Sequence, residues 1–309
     1  MNHISIVLML LIIALQTTQA QSGESWTRLD TRVFDDSYAN LDIVPLNGQR
    51  FRAYYMKEGS IGTAVSEDDG ETFTDEGTIL SGQHHALLKL SDTLFRMYYS
   101  TSDSGGLISA TSTDGTTFTQ EDGIRLTGAG QIIHPSAMEQ ADGTFRIFYD
   151  QEVSANPNFG RNIRSISCDA TGLTCTQDSG VRIKRRSDCD DLSRSEMRRL
   201  KLRGTLCDVG LVFSPFVEFD ASTDQFRLYF TAEGNQRNSG VYLATSTNGR
   251  RFKIRKKVLG VNTDTTVENG NLGLPGNPQD AFILTQSSGT KRMFIWETDD
   301  GIYAATRSQ

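Results

Sequence analysis

The tract Phe51-Arg52-Ala53-Tyr54-Tyr55 decides the reading, because the chain repeats it. It returns as Phe95-Arg96-Met97-Tyr98-Tyr99, as Phe145-Arg146-Ile147-Phe148-Tyr149 and as Phe226-Arg227-Leu228-Tyr229-Phe230. A degenerate fifth copy is Lys291-Arg292-Met293-Phe294-Ile295. Aromatic, β-branched and long residues without glycine read as strand. A second strand-like tract follows each copy, at Gly62–Ser66, Ile108–Ser112, Ile163–Ser167, Val241–Thr245 and Ile302–Thr306. Asp68-Asp69-Gly70, Thr113-Asp114-Gly115 and Thr247-Asn248-Gly249 then signal tight hairpin turns. A further strand opens at Phe73, Phe118, Cys175 and Phe252, and an apolar run precedes each Phe-Arg tract. Four short strands repeated five times predict an all-β fold, a five-bladed β-propeller of four-stranded antiparallel blades.

The two ends of the chain match each other. The last unit stops after its third strand, at Thr306, while Trp26-Thr27-Arg28-Leu29 is a fourth strand without a unit. The N-terminal strand is therefore expected to complete the last blade, which removes an open edge.

The first twenty residues, ending in Thr18-Gln19-Ala20, carry an apolar run from Ile4 to Leu15 that is too short to span a bilayer. They read as a signal peptide cleaved after Ala20, in preference to an uncleaved anchor. No later stretch is apolar enough to span. Residues 21–309 are thus expected to form one secreted, monomeric propeller domain, extracellular or periplasmic, with no membrane span. The net charge of −7, from 31 cations and 38 anions, argues against nucleic acid as a partner. Four cysteines in an exported chain suggest disulfides, most simply Cys168 with Cys175 and Cys189 with Cys207. The second pair would staple a basic insertion at 181–207, which holds nine Lys or Arg against four Asp or Glu. That insertion reads either as a solvated excursion or as a basic wall that attracts an anionic ligand.

The stretch Ser66-Glu67-Asp68-Asp69-Gly70-Glu71-Thr72-Phe73, with shorter variants at Ser112–Phe118 and Ser246–Phe252, resembles the Asp-box turn of sialidase-type propellers. Five units with Xaa-Pro at inner-strand starts (His134-Pro135, Ser214-Pro215, Asn277-Pro278) resemble the five-bladed glycosidases. That group includes the arabinanase/xylosidase, fructosidase and mannoside-phosphorylase families. The resemblance implies a secreted glycosidase acting on carbohydrate through paired carboxylates in an axial funnel.

Features shared by every unit hold the fold, so Arg52, Arg96, Arg146, Arg227 and Arg292 read as bridges between blades. Features unique to one unit are candidates for function. Inner-strand starts and second-strand ends share one face of a propeller. They would gather Asn40, Asp42, His84, His85, His134, Ser214, Asn277 and Asp280 with Glu58, Asp150, Glu152, Glu233 and Glu297 around one pocket. Tyr55, Tyr99, Tyr149 and Trp296 are expected nearby, where rings stack on sugar faces. Asp42 lies where the resembling families carry their base or nucleophile. Glu233 and then Glu152 are the candidate acids, with Asp150 tuning the acid. Those families often set the acid Glu two residues before Pro, whereas Ile133 and Phe213 precede His134-Pro135 and Ser214-Pro215 here. His134 is therefore a second candidate proton donor, as a His is in one agarose-degrading propeller group. No cofactor is required by this chemistry. A Ca²⁺ or a transition metal on the axis, held by a pocket histidine with His134 and Asp42, stays open, as do a lectin-like binder and a protein-interaction scaffold.

Overall fold

A computed structural model of the chain describes residues 24–35, 38–101, 106–127, 132–152, 160–186, 205–207, 209–234, 237–261, 277–297 and 300–307. Residues 1–20, Cys189 and most of the basic insertion, and with them the signal-peptide reading and the Cys189–Cys207 pairing, lie outside the described residues. In chain order the N-terminal strand is β1 (Trp26–Phe34). Blade 1 holds β2 (Ala39–Pro45), β3 (Phe51–Lys57), β4 (Ser60–Ser66) and β5 (Thr74–Ser81). Blade 2 holds β6 (Gln83–Ser91), β7 (Leu94–Ser100) and β8 (Gly106–Ser112), edged by the short pieces β9 (Thr119–Gln120) and β10 (Leu126–Thr127). Blade 3 holds β11 (Ile132–Glu139), β12 (Phe145–Glu152), β13 (Arg161–Cys168) and β14 (Cys175–Gln177). Next come β15 (Lys184–Arg186) and β16 (Thr205–Cys207), which pair in parallel. Blade 4 holds β17 (Val209–Asp220), β18 (Gln225–Gly234), β19 (Gly240–Ser246) and β20 (Lys253–Gly260). Blade 5 holds β21 (Pro278–Thr285), β22 (Lys291–Glu297) and β23 (Gly301–Arg307), and β1 pairs antiparallel with β23 to complete it. The architecture is the expected five-bladed propeller.

Each blade is too thin to bury both its faces, so the apolar faces meet between blades. Five buried clusters follow the ring. One joins Val44, Tyr54 and Ile61 to Leu87, Phe95 and Met97. The last joins Phe34, Phe294 and Ile302 of blade 5 to Leu41, Ile43 and Phe51 of blade 1. The repeated arginines and tyrosines add polar clasps. Arg52 Nη1 donates to the Asp114 carbonyl at 3.2 Å and Tyr54 Oη to the Gly115 carbonyl at 2.7 Å, both in the next blade's outer turn. Arg96 and Tyr98 reach the Thr171 and Gly172 carbonyls in the same way, and Arg146 Nη1 reaches the Asn248 carbonyl at 3.0 Å. The turns that receive these clasps are held internally, for example by Asp114 Oδ1 accepting from the Thr116 and Thr117 N–H groups at 2.7 Å each.

Cys168 and Cys175 are disulfide-bonded across the β13–β14 turn, stapling the loop that receives Arg96 and Tyr98. The start of the insertion is fastened to blade 3 by backbone hydrogen bonds between Ile163 and both Arg182 and Ile183.

Candidate functional site

One irregularity repeats in all five inner strands and builds the axis. Asn40, His84, His134, Ser214 and Asp280 adopt φ of 49°, 46°, 46°, 49° and 47°. At each, the pairing with the second strand slips, between Ala39/Asp42, Gln83/Ala86, Ile133/Ser136, Phe213/Phe216 and Gln279/Phe282. A left-handed residue other than glycine costs roughly 1 kcal/mol, so the surrounding ring must hold all five in place.

A cavity of about 20 Å³ lies among Asn40, Asp42, His134, Ser136, Ser214 and Asp280, with Leu41, Pro135, Pro215, Phe216, Ala281 and Phe282 as its apolar walls. That is room for about one water molecule. His134 is its chemical centre. Its Nδ1 lies 2.9 Å from Asp150 Oδ1 and its Nε2 lies 3.7 Å from Asp280 Oδ1. Burial alone would favour the neutral ring, but Asp280 and Asp150 outweigh it and raise the His134 pKa. Asp150 is fully buried and also accepts from the Ser214 N–H at 3.1 Å and from Arg161 Nη1 at 3.4 Å. Asp280 accepts the Ser214 hydroxyl.

The adjacent histidines diverge, as neighbours in a strand must. The His84 ring packs edge-on against His134 with centroids 4.6 Å apart, and burial beside two cationic neighbours drives its pKa down to about 2. His85 is fully buried, 3.7 Å from Asp42, and burial pushes its pKa down to about 4. Asp42 accepts the Leu87 N–H of the next blade at 2.9 Å. Burial pushes its carboxyl up to about 8, against the pull of that single hydrogen bond. Asn40 in turn accepts the His85 N–H at 2.7 Å.

Glu233 sits at the end of β18, where burial raises its carboxyl to about 7 despite the opposing charge of Arg161. Glu152 faces the same Arg161, 3.7 Å away. Arg161 thus ties Glu152 and Asp150 together and reaches Glu233 electrostatically. Sequence reasoning passed it over, although the signal was there. The third strands of the other blades open on Ser60, Gly106, Gly240 and Gly301, and only blade 3 opens on an arginine.

Other expected pocket residues stand elsewhere. Tyr55, Tyr99 and Tyr149 are buried in the inter-blade clusters, because alternation along the second strand turns them toward the neighbouring blade. The Tyr55 hydroxyl donates to Asp75, and Tyr149 Oη accepts from Gln177 Nε2 at 2.8 Å. Glu297 is buried in an ion pair with Arg28, Nε to Oε1 at 2.8 Å, at the seam between β1 and blade 5. Trp296 packs on the cluster between blades 5 and 1. Asn277 is fully buried, with no partner for its amide among the described residues. Glu58 occupies the exposed β3–β4 turn. No group of three His, Cys, Asp or Glu among the described residues is arranged to hold a metal ion.

Solved structures of the same shape include glycoside hydrolases. A thermostable family-43 glycoside hydrolase superposes with a TM-score of 0.66 at 11% identity, covering 88% of each chain. An endo-arabinase from Bacteroides thetaiotaomicron gives 0.63 at 11% identity, over 90% of this chain and 97% of that one. An α-L-arabinofuranosidase from Clostridium thermocellum gives 0.57 at 12% identity, over 91% and 96%. The fold is shared. At this level of identity the likeness speaks for the fold alone. No protein-family profile matches the sequence, and no curated protein matches it in sequence.

Proposed function

We propose that the protein is a secreted glycoside hydrolase that works at the mouth of the axial funnel. The observation that carries this reading is the one-water cavity lined by Asp42 and Asp280, on the propeller axis of a fold shared with family-43 glycoside hydrolases. A water held there faces a sugar bound above it. Asp42 is the base that takes its proton, strong once ionised because burial disfavours its charge and no cation among the described residues is set against it. Glu233 is the acid that protonates the leaving oxygen, and burial keeps its proton available near neutral pH. The His134, Asp150 and Asp280 network positions the cavity wall. Attack by a pre-placed water inverts the anomeric centre. The disulfide supports an oxidising, extracytoplasmic location.

A second reading has its own observation. Ile133 and Phe213, buried at 4% and 5%, stand where the resembling enzymes often carry an acid. That favours a propeller that binds glycan without cleaving it. One experiment separates the two. The protein, its Asp42→Asn variant and its Glu233→Gln variant are assayed against aryl-glycosides and oligosaccharides, with glycan binding measured in parallel. The hydrolase reading expects turnover lost by about 10³-fold in Asp42→Asn on every substrate, and rescued in Glu233→Gln by aryl leaving groups that need no acid. Glycan binding without turnover by any of the three proteins overturns it in favour of the binder.

A further inference from the structure

The outer edge of blade 4 carries a charge that no other blade edge carries. Residues 250–257 read Arg-Arg-Phe-Lys-Ile-Arg-Lys-Lys, six cations and no anion. The remainder of the chain has 25 cations and 38 anions, a net of −13. The strip forms the turn before β20 and most of β20 itself, the edge strand of its sheet. Arg250, Arg251, Lys253 and Arg255 are exposed, and Lys256 and Lys257 half-buried. Among the described residues none of the six stands within ion-pairing distance of a carboxylate. The repeated arginines, by contrast, have carboxylate partners, Glu76 for Arg52, Glu121 for Arg96 and Glu218 for Arg227.

Lysines on an edge strand also guard against edge-to-edge pairing. The other outer edges carry no such run: β5 has Asp75 and Glu76, β9, β10 and β14 carry no charge, and β1 has Arg28 and Arg32 with Asp30 between them, paired with Glu297 and Asp300. The concentration on one blade therefore calls for an attractive partner. The Arg182 guanidinium adds to it, donating to the Arg250 carbonyl at 2.7 Å beneath the same turn.

The shape of the strip narrows the partner. It is a narrow line, its strand part from Lys253 to Lys257 about 17 Å long at the strand rise, lying on the rim of a disc, which suits a linear polymer better than a planar bilayer. Phe252 is buried, so the strip offers no exposed aromatic ring on which nucleic-acid bases would stack. It lies three strands out from the axis, about 14 Å from the inner strand. We propose that the outer edge of blade 4 is a docking strip for an anionic polysaccharide, separate from the axial funnel. The proposal rests on the glycan reading for the choice of polymer, and on the charge pattern for everything else.

The test is equilibrium binding of the full chain to alginate, which carries carboxylates, to dextran sulfate, which carries sulfate esters, and to neutral dextran. The comparison is the triple variant Arg251→Gln, Lys253→Gln, Lys256→Gln, whose substitutions lie outside the axial site. The proposal expects binding to one or both anionic polymers and none to neutral dextran, weakened about tenfold or more in the variant. Binding should fall as salt rises from about 0.1 M to about 1 M, where the Debye length shrinks from about 10 Å to about 3 Å. The preferred polymer then names the anionic group. Absence of binding to both polymers, equal binding by the variant, or binding confined to phosphatidylglycerol vesicles or duplex DNA overturns it. Because hydrolysis of small aryl-glycosides reads the axial site alone, loss of that activity in the variant would count as damage to the fold, and loss of docking with hydrolysis intact leaves the hydrolase reading standing.

Discussion

Tyr229 donates its hydroxyl to Glu24 Oε1 at 2.6 Å, across 205 residues of chain. The contact closes the ring. In blades 1 and 2 the second-strand tyrosine reaches a turn carbonyl of the next blade. Blade 5 has no such continuous turn, because its outer strand is the N-terminal β1. Glu24, just before β1, supplies the acceptors instead: Oε1 takes Tyr229 and Trp26 Nε1, and Oε2 takes Arg227.

Replacing Glu24 with alanine is expected to lower stability by about 2 kcal/mol, a loss kept moderate because Arg227 retains Glu218 at 3.0 Å. Burial pushes the Glu24 pKa up, but Tyr229 and Arg227 together bring it below the usual value of 4.5. The stabilisation is therefore complete above about pH 4.5 and is lost as pH falls through the lower, folded value. Denaturant titrations between pH 3 and pH 7 check this: the difference between wild type and variant should shrink on the acid side. A difference that stays constant would mean that Glu24 acts only by filling space.

The carboxyl pair fixes an expected pH profile. Turnover needs Glu233 protonated and Asp42 ionised, and their values of about 7 and about 8 lie in reverse order. Only a minority of molecules is then productive, and kcat/KM should peak narrowly between the two values. A broad plateau on the acid side of pH 6 would remove Asp42 from the role of base.

Asp42 also leaves a mark on stability. Its carboxyl is neutral in the fold up to about pH 8 and ionised in the unfolded chain above about pH 4. Stability should decline with pH across that interval, by at most about 1.4 kcal/mol per pH unit from this group. Asp42→Asn, which can still accept from the Leu87 N–H, should flatten the slope and equal or exceed wild type at pH 8. Thermal melts across that range decide it.

His134 is held between Asp150 and Asp280, and its raised pKa means stability that is whole below its ordinary 6.5 and lost as pH rises through the folded value. His134→Ala is expected to cost about 2–3 kcal/mol at pH 6 and less at pH 9. Asp150 keeps Arg161 and the Ser214 N–H, so the variant should still fold, and unfolding curves at the two pH values supply the comparison.

Gly115 stands at φ of 75°, and a Cβ there would lie 2.8 Å from the Tyr54 hydroxyl. Gly115→Ala should cost about 2 kcal/mol or more, from backbone strain and the displaced clasp together. The paired change Gly115→Ala with Tyr54→Phe should recover the part due to the clash, and a double-mutant cycle on melting measures it.

Much of this molecule was legible in its residues, and the limit has a physical cause. A strand repeat is a local pattern of side-chain alternation and turn chemistry, so the recurring Phe-Arg tracts and the Asp-Gly and Asn-Gly turns determined five blades, and the unmatched ends determined how the ring closes. The arginines could be assigned to bridging because each recurs at one position. What meets what was decided only by tertiary structure. The left-handed residue in each inner strand turns His134 and Asp280 onto the axis, while strand alternation sends Tyr55 and Tyr149 into the seams between blades. Glu297 pairs with Arg28 across 269 residues, and Asp150 gathers groups from two blades. Contacts of that kind depend on the packing of blades whose residues carry no local mark of their partners, and the protonation of Asp42 and Glu233 follows from that packing.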